Sequence, residues 1–450
     1  MARFIQYDRH QQYLLPPSVD EWLPEDHLAR YVVEVIDQLD LSKLTSRYSR
    51  SGSEAYHPAL MLALLVYGYA TGTFSSRKIE RATHDSVAFR FIAANLHPDH
   101  DTLAHFRKTF LVELEDLFVQ VLAFAQTMKL VKLGQISLDG TKIKANASKH
   151  KALSHGHIEK LEAQLREEVQ ALLAKAAETD QQEANDGHDL PAEIARREDR
   201  LKALADAKAK IVERVEQRDQ QAQQEYAEKI ARREAQRAAG NKPRGKAPKA
   251  PETGPKAKDQ INLTDEESRI MPSHEGFVQA YNGQAAVEVD SMLIVATTLT
   301  QDTNDKQQVK PMLGELAKLP PALGKPGTLL ADNGYFSQGN VKACAERSIT
   351  PLIALGRDAH HRPLEERLAA DAPVPDSDDP LVKMAHALKT KQGRAQYGKR
   401  KCTVEPVFGI IKQIMGFRQF SLRGLQATSG EWKLVAMAYN LKRMHVLAAG

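Results

Sequence analysis

The spacing of apolar residues changes along the chain, and the changes divide it. Over residues 1–130 apolar positions recur with a helical period. The run HPALMLALLVYGYATG has Pro58 near its start and Gly72 near its end, the punctuation of a helix. Two further helical stretches follow. They are SSRKIERATHDSVAFRFIAA, with Ser75 or Ser76 as N-cap, and DHDTLAHFRKTFLVELEDLFVQVLAFAQ, with Asp101 or Thr102 as N-cap. A helix-turn-helix bearing His105, Arg107 and Lys108 on its second element fits this pattern, and an ordinary helical bundle with a basic face fits it equally well.

At Gly134 the period changes. QISLDGTKIKA reads as a short strand ending on an Asp-Gly turn signal. GFVQAYNGQAAVEV and MLIVATTLT read as two more strands, joined at Asp290 and Ser291. KQQVKPMLGELAKL then predicts a helix, GTLLADNGYF a buried strand with a turn, NVKACAERSI a helix and TPLIAL a strand. Three strands followed by alternating helices and strands specify a mixed sheet flanked by helices, an α/β architecture.

Between the first and second strands lies a long interruption. Ile158, Leu161, Leu165, Val169 and Leu172 are spaced by three and four, and Ile194, Leu201, Leu204, Ile211 and Val215 resume the stripe after NDGHDLP. An antiparallel, coiled-coil-like helical hairpin over 155–239 is predicted. The following segment, 240–260, is rich in Pro, Gly and Lys and reads as a flexible basic linker. The expected organisation is therefore a helical region at 1–130, a sheet domain at 131–154 and 261–450, and the insertion with its linker between.

A length of 450 residues calls for two or three structural units. The two cysteines, Cys344 and Cys402, form neither a CxxC pair nor a disulfide framework, which points to a reducing cytoplasm. No apolar run is long enough to span a bilayer, so no membrane partner is expected. Net charge is only +4, but its distribution is uneven. From Lys383 to Arg423 ten Lys or Arg residues occur with Glu405 as the only acid. A solvated surface normally mixes signs, so this strip reads as facing phosphate.

Metal-assisted phosphodiester cleavage needs carboxylates converging from different elements, because Mg²⁺ prefers oxygen ligands and needs open positions for phosphate and water. Asp139 ends the first predicted strand and Asp332 the fourth; if the strands are neighbours, both side chains emerge at the sheet edge where ligands bind. Glu405 starts a helix inside the basic strip. Each also has a structural reading: Asp139 and Asp332 precede turn-forming residues, and Glu405 before Pro406 suits a helix N-terminus.

Taken together, these blocks resemble the DDE transposases of bacterial insertion sequences. SLDGTKIKANASK resembles the first catalytic block, INLTDEESRIM with FVQAYNGQAAV the block after the variable insertion, and LLADNGYFS the second catalytic block. The last block aligns a tyrosine, an arginine, the catalytic glutamate and a lysine with Tyr397, Arg400, Glu405 and Lys412. Four residues separate Arg400 from Glu405 where the family pattern has three, and Lys401 stands at the family distance.

The resemblance implies an RNase H-like catalytic domain in which Asp139, Asp332 and Glu405 hold two Mg²⁺ or Mn²⁺ ions that cut element ends and rejoin them to target DNA. It implies DNA contacts from Tyr397, Lys399, Arg400, Lys401 and Lys412, joined by Arg107 and Lys108 in the helical region. Double-stranded DNA, as terminal repeats and target, is the expected partner, with a homodimer in the DNA complex and a nucleoid location. A non-catalytic DNA-binding or architectural protein derived from a transposase is the alternative.

Overall fold

Strand β1, Gln135–Lys144, holds the centre of a mixed sheet, and its first half is buried on both faces: Ile136 and Leu138 on one, the small Ser137 on the other. A computed structural model describes residues 18–48, 54–179, 190–240, 246–273, 276–356, 371 and 373–449. β1 runs antiparallel to β5 (Gly276–Glu288) and parallel to β7 (Thr328–Ala331). β6 (Ile294–Thr300) adds antiparallel to β5, and β8 (Thr350–Ile353) adds parallel to β7. The order β6-β5-β1-β7-β8 is a mixed sheet, as the strand and helix alternation predicts, of the RNase H-like kind that the resemblance implies.

One face of this sheet is covered by the Leu425–Ala449 helix, whose central residues are buried almost throughout. Trp432 Nε1 donates to the Gln284 carbonyl at 3.1 Å, and a Cβ on Gly283 would meet the Trp432 ring at 3.2 Å. Asn440 exchanges two hydrogen bonds with the Ile294 backbone, satisfying polar groups at the start of β6.

The same helix packs against Pro58–Ala70 and Glu113–Thr127, so the helices before residue 130 belong to the unit that contains the sheet. A buried polar link joins them to that helix. Arg107 donates to the Tyr69 hydroxyl at 3.1 Å, Tyr69 donates to Glu431 Oε1 at 2.7 Å, and Glu431 Oε2 accepts from the backbone of Ser421 and Leu422. Pro58–Ala70 is buried on every side, which explains an apolar run without a polar face.

The two long predicted helical stretches each break once. Ser76–Asp85 and Val87–Ile92 are separated by an extended Ser86, and His100–Thr109 ends before Glu113–Thr127 begins. The cap of His100–Thr109 is Asp99, which accepts from Thr102 N at 2.7 Å, in place of the predicted Asp101 or Thr102.

The insertion forms a unit of its own, from Ala147 to Ile270 with residues 276–279. β4 (Arg269–Ser273), paired with β5, carries the chain out of it. Helices His155–Thr179 and Leu190–Ala238 close on Ile158, Leu165, Leu204, Ile211 and Val215 of the predicted stripes, together with Ala207. Ile261 joins this core from β3 (Gln260–Asn262), which pairs with β2 (Ala152–Ser154). The predicted flexible linker is not free over its described part, 246–259. Gly254 N donates to Asp219 at 2.6 Å, Arg218 pairs with Asp259 at 3.0 Å and Arg233 donates to the Lys246 carbonyl at 2.9 Å. Polar side chains of the long helix thus add to the bonds that this Pro- and Gly-rich segment makes within itself, such as Lys256 N to Asp259 Oδ2 at 2.8 Å.

Candidate active site

Asp139 lies inside β1, opposite Ala285 of β5, and Gly140 lies opposite Gln284. The Asp-Gly pair is therefore not a turn: β5 continues beside it as far as Ala280, and an antiparallel partner holds the pair extended. On the other side, pairing with β7 stops at Ser137 opposite Leu330. Two residues further along each strand stand Asp139 and Asp332, at the carboxyl edge of neighbouring parallel strands, the position where open α/β sheets bind ligands. Asp332 Oδ1 also accepts from Gly334 N at 2.8 Å, fixing the turn Asn333–Tyr335.

Burial is the main reason the Asp139 carboxyl is pushed up to about 6, and the charges of Asp332 and Asp305 add to it, against the opposing Gly140 N–H and Arg400. Oδ1 accepts from Gly140 N at 2.8 Å and Oδ2 from Arg400 Nη1 at 3.3 Å. The other arm of that guanidinium, Nη2, reaches Glu405 Oε1 at 3.1 Å. One arginine, 11% exposed, thus joins the β1 aspartate to a glutamate in the first turn of Val404–Gly409. Burial works against its charge, but Asp139 first, then Tyr397, Glu405 and Asp332, hold the Arg400 pKa above its ordinary value. Lys401, at the spacing of the family pattern, is exposed; Arg400 is the residue that reaches the carboxylates.

Two family models match the chain, a transposase domain (DUF772) over residues 17–109 and a transposase DDE domain over 245–441. The second spans β5, β7, Asp332, Arg400 and Glu405. The chain belongs to the DDE transposases of the insertion-sequence type. No curated protein and no solved structure matches it.

The other predicted DNA contacts of this transposase fall in different settings. Lys399 is exposed, with Asp290 at 3.6 Å, and Tyr397 is half-buried. Lys412 lies in the π-helical turn Ile410–Ile414, a distortion frequent at functional sites. Its ammonium donates to the Lys142 carbonyl of β1 at 2.9 Å, and burial pushes its pKa down, with Arg418 and Lys142 adding to the shift. Lys108 is exposed on His100–Thr109. Arg107 faces inward, bonded to Tyr69 and to the Phe74 carbonyl, each at 3.1 Å. The helical period of its neighbours could not give this, since both partners lie more than thirty residues upstream in sequence.

Sequence reasoning missed Asp305. Its Oδ1 accepts from Asn282 Nδ2 and Gln284 Nε2, both at 2.7 Å, and stands 3.8 Å from Lys142 Nζ. The only signal was the acid itself, in QDTNDKQQ after β6, a stretch without apolar period.

The donor chemistry of the site fits Mg²⁺ or Mn²⁺ at Asp139 and Asp332, two hard oxygen donors whose mutual repulsion a cation relieves. Glu405 fits only in part, since Arg400 stands between it and Asp139; among the described residues no three acid, His or Cys side chains are grouped as a ready metal cage. No described helix is long and apolar enough to cross a membrane.

Proposed function

We propose that this transposase binds the ends of its insertion element, as a homodimer on DNA, and cleaves and transfers DNA strands at Asp139, Asp332 and Glu405. The observation that carries the reading is that Asp139, which shares the sheet's carboxyl edge with Asp332, is joined to Glu405 by one arginine. A protein that only bound DNA would gain nothing from this arrangement: burying a carboxylate costs free energy, and acids repel phosphate.

In this reading Asp139 and Asp332, joined by Glu405, hold divalent cations, which supply charge stabilisation at the phosphate and activate the attacking oxygen. Arg400, released from the two carboxylates, turns its planar fork to a phosphate, a geometry that guanidinium suits better than ammonium. Lys399 and Lys401 meet the backbone as point charges, and Lys412 braces the glutamate segment against β1.

The test is to incubate the purified chain with Mg²⁺ or Mn²⁺ and DNA carrying its own element's ends, mapping the cut on each strand. Asp139→Ala, Asp332→Ala and Glu405→Ala are each expected to reduce cleavage to background while leaving DNA binding intact. Wild-type cleavage by any one of them would remove that residue from the site.

A further inference from the structure

The loop after β6 is tied to the turn after β7 twice. In the first tie Asp305 Oδ1 accepts from Gln284 Nε2 at 2.7 Å, and Gln284 Oε1 accepts from the Tyr335 hydroxyl. Tyr335 closes the turn that Asp332 caps, and it is fully buried. In the second tie the buried Asn340 amide donates both to the Lys306 carbonyl, next to Asp305, and to the Tyr335 carbonyl, each at 2.7 Å. Asn282, 0% exposed, adds a second donor to Asp305 Oδ1.

This network meets β1 at one point. A Cβ on Gly140 would lie 2.3 Å from Gln284 Nε2 and 2.7 Å from Asp305 Oδ1, so the absence of a side chain beside Asp139 is what lets the polar groups close over the strand. A bulk reading, in which Asp305 merely satisfies two buried amides, accounts for its bonds to Asn282 and Gln284. It does not account for a second carboxylate beside Asp139, which Lys142 Nζ at 3.8 Å offsets only in part, where a neutral acceptor would satisfy the same two amides without the repulsion. An anion there makes sense if the site receives positive charge.

Resting on the reading of Asp139 and Asp332 as cation ligands, we propose that Asp305 is a positioning residue for them: through Gln284 and Tyr335 it sets the Asp332 turn against β1, and its charge favours a divalent cation between the aspartates. It touches neither aspartate through a hydrogen bond, so its effect is on their placement and on the field around them. Partners of this kind typically change metal affinity by about 10–100-fold when lost.

The experiment is a Mn²⁺ titration of the full chain, read by loss of the free-ion paramagnetic resonance signal, with folding checked by circular dichroism. Asp305→Ala is expected to weaken Mn²⁺ binding about tenfold. Asp305→Asn keeps the Oδ1 acceptor and loses the charge; it is expected to fall between wild type and the alanine variant. Asp139→Ala is expected to lose the site. If Asp305→Ala binds like wild type while Asp139→Ala does not, the positioning role is overturned and the site survives. If Asp139→Ala also binds like wild type, the reading of the site fails and takes the proposal with it. Should Asp305→Ala not fold, Tyr335→Phe cuts the same path at its far end, and unchanged Mn²⁺ binding there overturns the proposal equally.

Discussion

The insertion and the sheet unit treat charge in opposite ways. In the insertion cations find carboxylates at the surface: Arg197 with Glu168 at 2.9 Å, Lys208 with Glu162 at 3.2 Å and Lys210 with Glu266 at 2.6 Å. In the sheet unit the charges of Asp332 and Asp305 act on the buried Asp139, and Arg400 is shared between Asp139 and Glu405. The first arrangement is what a solvated helical hairpin adopts by default, each pair contributing little. The second costs stability, and such local costs mark functional sites.

The cores differ as well, and mutating each tests whether the two units are independent. Trp432 is wholly buried, donates to Gln284 and covers Gly283, so Trp432→Ala should cost about 3–5 kcal/mol and loosen β1 and β5. Ile211 sits in a core one helical stripe deep, and Ile211→Ala should cost about 2–4 kcal/mol, felt in the hairpin alone. Hydrogen exchange resolved by segment separates the outcomes. Equal loss of protection in β1 and in the hairpin for Ile211→Ala would make the two units one cooperative body.

The same contrast governs what the sequence made legible. The hairpin was readable because its stripe is local: Ile158 to Leu165 and Leu204 to Val215 follow helical spacing and pack on one another. The strand and helix order of the sheet was readable for a similar reason, since each element carries its own period. Asp139 and Asp332 were legible as candidates from their motifs, but Asp139 was expected at a strand end. Its partner β5 lies some 140 residues on, and only that pairing keeps Asp-Gly extended. The inward bonds of Arg107 and the place of Asp305 were not legible, for one shared reason. Their roles are set by single polar partners distant in sequence, Tyr69 and Phe74 in one case, Asn282 and Gln284 in the other, and no periodicity encodes such contacts.

The crowded carboxylates give a pH test with a definite sign. Asp139 titrates near 6 in the folded protein against an ordinary 3.8, so between those values the folded state holds the proton more tightly than the unfolded one. The protonated carboxyl is the comfortable form, and stability is lost as pH rises through about 6. Asp139→Asn removes that loss. Without divalent metal it should stabilise the protein by on the order of 2–3 kcal/mol at pH 8 and leave it unchanged at pH 4. Denaturant midpoints at the two pH values check this. A variant less stable than wild type at pH 8 would mean that Arg400 needs the Asp139 charge more than burial opposes it.

The smallest expected effect concerns which cations remain available to DNA. Lys208 in the insertion is held by Glu162 at 3.2 Å and has Glu159 at 3.8 Å, whereas Lys401 is exposed and has no ion pair among the described residues. A lysine already neutralised by protein carboxylates releases few counterions when DNA arrives, while a free one contributes up to about −0.9 to the slope of log affinity against log salt. Lys401→Gln should therefore make the slope for end-DNA binding shallower by about one unit or less, without changing sequence preference, because phosphate contacts position and do not specify. Lys399 starts near Asp290, so adding Lys399→Gln should change the slope further by less than Lys401→Gln alone. Lys208→Gln should leave it where it is. A salt titration of the four proteins decides the matter: if Lys208→Gln moved the slope as much as Lys401→Gln, the insertion would be part of the DNA-binding surface, and the contrast in how the two units handle charge would not extend to DNA.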